Sequence, residues 1–174
     1  MKEAVSVPVF ANGNILFPSD IGRCLKETGC DAVMSAEGQL YNPALFANPE
    51  EFSENTPSGL LKQHLFHVDL ALEYLDICKE LKTHTQLTCI KGHLFKIMLP
   101  GLSKETDLRE RLGRADVRKD GDWSTGSLQP YIDICLELKA RMQVWSTDVS
   151  DIDWDLLRFR LTSKQQRIRL LRSW

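Results

Sequence analysis

The sequence predicts an α/β segment followed by an all-α domain, helix-dominated as a whole. Three observations carry that expectation. Val7–Phe46 reads strand, turn, helix, strand, turn, the order of two consecutive βα units in a parallel sheet. From Leu60 onward, apolar residues recur at spacings of three and four, the stripe of amphipathic helices. Between the two, Ala47–Gly59 (ANPEEFSENTPSG) is a polar, Pro- and Gly-bearing connection suited to a domain boundary. The expected parts are residues 1–58, a helical domain over 59–145, and a tail over 146–174.

The first strand is the apolar run Val7-Pro8-Val9-Phe10-Ala11, which breaks at Asn12-Gly13-Asn14. A helix follows through Ile21, Leu25 and Thr28, with Asp20 near its start and Gly29 as its stop. The second strand, Ala32-Val33-Met34, ends in the turn Ser35-Ala36-Glu37-Gly38, and Tyr41–Phe46 reads as a short helix behind it. In such units function sits in the turns after the carboxyl ends of the strands. Gly in the first turn tolerates positive φ and lets backbone N–H groups approach an anion. Two such turns side by side would cradle a phosphate. By itself, a strand followed by Asn-Gly is more often just a turn.

Leu60–Lys82 is the clearest helix, with Leu61, Leu65, Val68, Leu72 and Leu75 on one face and Phe66, Leu70 and Tyr74 widening it. Leu87–Leu99 makes a second, ended by Pro100-Gly101. Ser103-Lys104-Glu105-Thr106 opens a third, with Leu108 and Leu112 inward and Arg109, Arg111 and Arg114 outward. Lys119–Gly126 reads as a loop. Leu128–Trp145 is the fourth helix, with Pro130 in its first turn and Ile134, Leu138 and Met142 on one stripe. In the tail, acidic residues come first and basic ones last, which suits a solvated terminal helix; a poorly ordered tail, or read-through into unrelated sequence, is the alternative.

Composition narrows the class. With 43% hydrophobic and 26% charged residues among 174, the chain has the balance of a soluble globular protein. The net charge of −2 gives no global basic signal for nucleic acid. The charge is uneven, though: residues 1–60 hold three Lys/Arg against eight Asp/Glu. The five cysteines, at 24, 30, 78, 89 and 135, lack metal-ligand spacing and read as reduced thiols of a cytoplasmic or nuclear protein. No apolar run reaches membrane-spanning length, so no membrane partner is expected. Neither a Ser-His-Asp set nor a Gly-rich nucleotide pattern is present, and no obligate protein partner is inferred.

Two separated motifs add a resemblance. Phe10-Ala11-Asn12-Gly13-Asn14-Ile15, then Val33-Met34-Ser35-Ala36-Glu37-Gly38 and Asn42-Pro43-Ala44-Leu45-Phe46, resemble the tRNA-dihydrouridine synthases. The wording MSAEG…NPALF resembles the eukaryotic members acting at positions 16 and 17 of the D-loop. The likeness runs from Val7 to Gly113 and on to Met142. It implies a TIM barrel that binds FMN, followed by a helical tRNA-binding domain. A TIM barrel takes eight βα units and about 250 residues, so residues 1–58 would be its last two, with strands 7 and 8. The implied reaction is reduction of uridine to dihydrouridine in tRNA, with NAD(P)H as reductant of the FMN. The expectation is a carboxy-terminal portion of such an enzyme, inactive alone. The alternative is a non-catalytic RNA-binding helical module or an inactive truncated product.

The resemblance also assigns residues. Asn12, Gly13, Asn14, Ala36 and Glu37 match the turns that offer main-chain N–H groups to the FMN phosphate. Glu37 departs from the bacterial members, which often carry arginine there. A carboxylate pointing inward would repel a phosphate. No catalytic residue can be named, because the family's proton-donating cysteine lies on an earlier barrel loop outside this chain. No metal ligand is assigned. For tRNA, His93 and Lys96 lie three apart on one helical face with Lys91 close by. His93-Leu94-Phe95-Lys96 matches a segment of the family's helical domain. Arg109, Arg111 and Arg114 extend the basic set. Against this stands the plainer reading of solvated lysines and a structural histidine. Such groups would contact phosphate rather than read bases.

Overall fold

The computed structural model describes residues 2–13, 15–47, 57–82, 85–117 and 128–145, with residues 57–65 described by their main chain alone. Asn14, most of the connection before residue 57, the loop expected at Lys119–Gly126 and the tail from residue 146 lie outside the described residues. After a single 3-10 turn at Lys2–Ala4, strand β1 spans Phe10–Asn12 and helix α1 spans Pro18–Thr28. Strand β2 follows at Ala32–Met34. The strands pair in parallel, Phe10 opposite Ala32 and Asn12 opposite Met34, with α1 as the crossover.

Local chemistry sets the limits of α1. Pro18 occupies its first turn, where a missing N–H costs nothing. The carboxylate of Asp20 reaches back to accept from the N–H groups of Leu16 at 3.1 Å and Phe17 at 3.0 Å, and pairs with Arg23 at 2.5 Å. Those bonds offset the cost of burying a polar side chain on a residue only 8% exposed. Gly29, at φ 63°, closes the helix in the left-handed conformation, its N–H bonded to the Leu25 carbonyl.

The next helix differs from expectation. Helix α2 spans Glu37–Tyr41, so Glu37 and Gly38 belong to a helix, and residues 43–46 form a turn. Pro43 lacks the N–H to continue a helix, and Asn42 Oδ1 accepts from the Ala44 N–H at 3.0 Å, fixing the turn instead.

Five helices make up the rest of the described residues: α3 (Pro57–Glu80), α4 (Leu87–Ile97), α5 (Leu99–Lys104), α6 (Thr106–Arg114) and α7 (Gln129–Trp145). The expected second helix is therefore two, broken at Met98, and Pro100 opens α5 rather than ending α4. A proline is accommodated in a first turn and disruptive deeper in. Ser103 and Lys104 close α5, and α6 begins only at Thr106.

Among the described residues the main buried cluster is built on these five helices and their connections, while Ile15 and Leu45 are buried apart from it. Val68, Ala71, Leu75 and Cys78 of α3 meet Ile90, Leu94 and Ile97 of α4, Leu108 and Leu112 of α6, and Tyr131, Ile134, Leu138 and Met142 of α7. Leu72, expected on the α3 stripe, is only half-buried, and Ala71 takes the inward position. Helix α5 comes close to α7 because Gly101 has no side chain. A Cβ there would sit 2.9 Å from Met142 Sδ and 3.0 Å from both Leu138 methyls. Lys139 of α7 pairs with Asp69 of α3 at 2.5 Å. By contrast the small sheet is thinly covered, with Phe10 61% and Met34 49% exposed.

Candidate functional site

The carboxyl ends of β1 and β2 point the same way, so the turns that follow them are neighbours. In the first, Asn12 and Gly13 are exposed. Gly13 has φ 136°, which residues with a Cβ rarely adopt, and a Cβ there would meet nothing within 4 Å. Its requirement is therefore conformational, not steric. In the second turn, exposed Ala36 precedes α2, and half-buried Glu37 is the first residue of the helix. The N–H groups of Glu37, Gly38 and Gln39 open that helix and have no acceptor inside it.

Two contacts lock the turns together. The Ser35 hydroxyl donates to the Ile15 carbonyl at 2.7 Å. Buried Gly38 packs directly on the first turn: a Cβ there would run into the Ile15 carbonyl oxygen and lie 2.9 Å from Leu16 Cα. Sequence reading took Gly38 only as part of a turn and gave Ser35 no role. Neither follows a periodic pattern, because both act across the crossover on main-chain atoms.

The arrangement suits an anion. It presents one glycine turn and, beside it, the N–H groups that open a short helix. The Glu37 carboxylate is an unfavourable charge beside such a site, and the Asp20 carboxylate sits on the Leu16 and Phe17 N–H groups close by. Among the described residues no group of three or more His, Cys, Asp or Glu side chains could hold a metal ion. No described helix is long and apolar enough to cross a membrane.

The basic residues divide by what they touch. On α4, Lys91 Nζ donates to the carbonyls of Gly113 at 3.0 Å and Ala115 at 2.8 Å, capping the negative end of α6. His93 Nδ1 is 2.7 Å from Tyr74 Oη, and the two rings meet edge to face at 5.4 Å. Lys96 is half-buried on the same helix. On α6, Arg111 pairs with Glu137 at 2.6 Å and Arg114 with Glu110. Arg109 lines a shallow recess with Phe95, Thr106 and Glu110. Among the described residues no ion pair engages Lys96 or Arg109.

A second charged cluster lies at the far side of α6. Arg141 of α7 makes a two-pronged contact with Asp107, both bonds at 2.9 Å, and reaches Glu105 at 2.7 Å and Glu137 at 2.6 Å. Its hydrogen bond holds the Asp107 carboxyl below the usual range, and Arg111 with Arg141 does the same to Glu137. Trp145 donates its indole N–H to Glu105 at 3.2 Å, and Lys104 lies over the indole ring.

A family model described as dihydrouridine synthase matches residues 1–125. The tRNA-dihydrouridine(16/17) synthase [NAD(P)(+)] of Schizosaccharomyces pombe is 45% identical over 115 residues, covering 64% of this chain and 27% of that protein. The protein of the same name from Saccharomyces cerevisiae is 38% identical over 133 residues, 74% of this chain and 30% of the relative. A tRNA-dihydrouridine(16/17) synthase [NAD(P)(+)]-like protein of Mus musculus is 40% identical over 114 residues, 66% and 21%. The matches thus span less than a third of these relatives' length. No solved structure matches significantly.

Proposed function

We propose, for a chain that belongs to the dihydrouridine synthase family, that it forms the carboxy-terminal part of an FMN-dependent enzyme reducing uridine to dihydrouridine in the tRNA D-loop. In this reading β1 and β2 are the last two strands of an FMN-binding TIM barrel, and α3–α7 are the tRNA-binding domain. The observation that carries it is the pair of coupled turns, since one phosphate needs both held at a fixed separation. Main-chain groups of Asn12, Gly13, Ala36 and Glu37 would hold the phosphate of FMN, joined by Asn14 from the motif. When bound, FMN supplies the hydride that reduces the uracil double bond, with NAD(P)H as its own reductant. The chain's own task at these turns is to bind and orient. Glu37 turned aside from the phosphate would keep its carboxylate from opposing the anion.

A chimera tests this. Residues 1–125 replace the matching segment of the Schizosaccharomyces pombe relative, and flavin content and dihydrouridine at positions 16 and 17 are measured. Retention of both is expected, and Gly13→Val in the chimera should lose flavin, because a β-branched residue resists positive φ. Loss of dihydrouridine from a folded chimera, or full flavin with Val at 13, overturns the reading. The 174-residue chain purified alone is expected to be colourless and inactive, since two strands cannot close a barrel.

The second reading is an RNA-binding helical module without catalysis. It is favoured by the large buried cluster that α3–α7 and their connections form with no member from the βα segment. Binding of tRNA by the isolated chain without any dihydrouridine formed in the chimera supports it.

A further inference from the structure

Helices α4 and α6 meet at an open recess of about 450 Å³, lined by Phe95, Thr106, Arg109 and Glu110. Thr106, Arg109, Glu110 and Gly113 recur at the three- and four-residue spacing that puts them on one face of α6. Phe95 comes to that face from α4, half-buried and packed against the core cluster. Gly113 leaves the edge of its ring uncovered, since a Cβ there would stand 3.8 Å from Phe95 Cζ. The charges around the ring are not equivalent. Glu110 is engaged by Arg114, one turn further along α6. Among the described residues no ion pair engages Arg109, nor Lys96, the residue after Phe95.

We propose that this recess is a nucleobase site, in which an unpaired base of tRNA stacks on the Phe95 ring while Arg109 holds the phosphate beside it. The inference rests on the tRNA-binding reading of α3–α7 and adds to it a contact made with a base. Each lining group has its complement in a nucleotide. An aromatic ring takes the flat face of any base, and such platforms are open surfaces rather than enclosed pockets. A guanidinium without a carboxylate partner is suited to phosphate oxygens. The Thr106 hydroxyl and the Glu110 carboxylate offer acceptors to N–H groups on a base edge. That carboxylate also decides against an acidic peptide, which brings negative charge and no donor-bearing ring to offset it. A nucleotide brings both. Paired regions of the RNA are set aside as well, because their bases are stacked on one another and only a loop, bulge or end can offer one. Phe95 therefore distinguishes unpaired from paired RNA, which phosphate contacts alone do not.

The test is a gel-shift titration of the full chain with folded tRNA, and with the same tRNA carrying one abasic nucleotide at each unpaired position in turn. Phe95→Leu keeps the apolar bulk and removes the ring. It should weaken binding about tenfold, the worth of one base–aromatic stack, with the salt slope unchanged because no charge is lost. Phe95→Tyr keeps the ring and should bind as wild type does. At one abasic position the wild-type chain should lose about the same tenfold, and Phe95→Leu should lose nothing further there, which couples that base to that ring. Gly113→Leu leaves Phe95 in place, lays a side chain over its ring, and should reproduce the loss. Circular dichroism verifies the fold of each variant before affinities are compared. Wild-type affinity in Phe95→Leu, with a flattened salt slope in Lys96→Ala, overturns the base site and leaves the tRNA-binding reading standing. Equal losses in Phe95→Leu and Phe95→Tyr overturn it too, because they report packing of the ring rather than stacking on it. Absence of any shift by the wild-type chain at low salt overturns both.

Discussion

Ser35 donates its hydroxyl to the main-chain carbonyl of Ile15 at 2.7 Å, binding the turn after one strand to the turn after the other. With Gly38 packed on the same carbonyl, the spacing of the two turns is set by contacts that do not involve the strands. Ser35→Ala should cost about 1 kcal/mol, the net worth of one hydrogen bond. Gly38→Ala should cost more, roughly 1–3 kcal/mol, because its methyl meets main chain that cannot rotate away. Hydrogen exchange at residues 15–17 and 35–39 is the sensitive readout. Unchanged protection in Gly38→Ala would mean that the turns are not locked as described.

Much of this could be read from the sequence, and the failures have two causes, one local and one long-range. The range of β2, the Gly29 stop and the inward Leu108 and Leu112 all follow from periodicity or from turn chemistry, which are local. The parallel pairing followed from the strand–helix–strand order. Helix α5 was hidden because Pro100-Gly101 reads as a break, whereas here the proline opens a helix and the glycine lets it approach Leu138. The Tyr41–Phe46 helix failed for a local reason, the Asn42-Pro43 turn. At the candidate site, Asn12, Gly13, Ala36 and Glu37 were nameable from motif wording. Ser35 and Gly38 act on main-chain atoms twenty or more residues away, which no local pattern encodes.

His67 makes stability pH-dependent. It is 6% exposed on α3, and burial pulls its pKa down to about 4, with the nearby Ile97 main chain acting in the opposite direction. The fold therefore favours the neutral ring, while the unfolded chain takes up a proton below about 6.5. Stability is unaffected well above that value, falls as pH drops below it, and the loss is complete near the folded pKa. Between pH 7 and pH 5 the change should be about 2 kcal/mol. Urea unfolding at the two pH values measures it. In His67→Leu that increment should vanish, whatever the mutation does to stability at pH 7. An equal pH loss in both proteins would assign it to other groups.

The Arg141 cluster acts in a lower pH window. Asp107 is held below its ordinary range chiefly by the Arg141 hydrogen bonds, and Glu137 by Arg111 first and Arg141 second. Carboxylates with depressed folded pKa values stabilise the fold above the unfolded value of about 4, and that contribution is lost as pH falls through the folded values. Both carboxylates are solvent-facing, so salt should weaken the effect. Carbon-13 titration of the Asp107 carboxyl should show its midpoint rise toward normal in Arg141→Met. The Glu137 midpoint should rise less, since Arg111 remains. An unmoved Asp107 midpoint would exclude the two-pronged contact in solution.

The basic residues of α4 and α6 should separate into a structural class and an RNA-facing class, if the tRNA-binding reading holds. Lys91 is spent on the Gly113 and Ala115 carbonyls at the end of α6. Removing it should cost stability, about 1 kcal/mol for a charged group at a helix carboxyl end. It should leave the salt dependence of RNA binding nearly unchanged. Lys96 and Arg109 hold no ion partner among the described residues, so their charges can neutralise phosphates. Lys96→Ala should flatten the slope of log affinity against log salt by about one unit and weaken all RNAs alike, because phosphate contacts carry no base information. Arg111 and Arg114 already pair with Glu137 and Glu110, so recruiting them to phosphate means giving up those partners, and their effect on the slope should be smaller. Gel-shift titrations of folded tRNA at two salt concentrations, with thermal melts of the same proteins, distinguish the classes. A flattened slope in Lys91→Ala with an unchanged melt would reverse the assignment, and identical slopes in wild type and Lys96→Ala would remove Lys96 from the RNA.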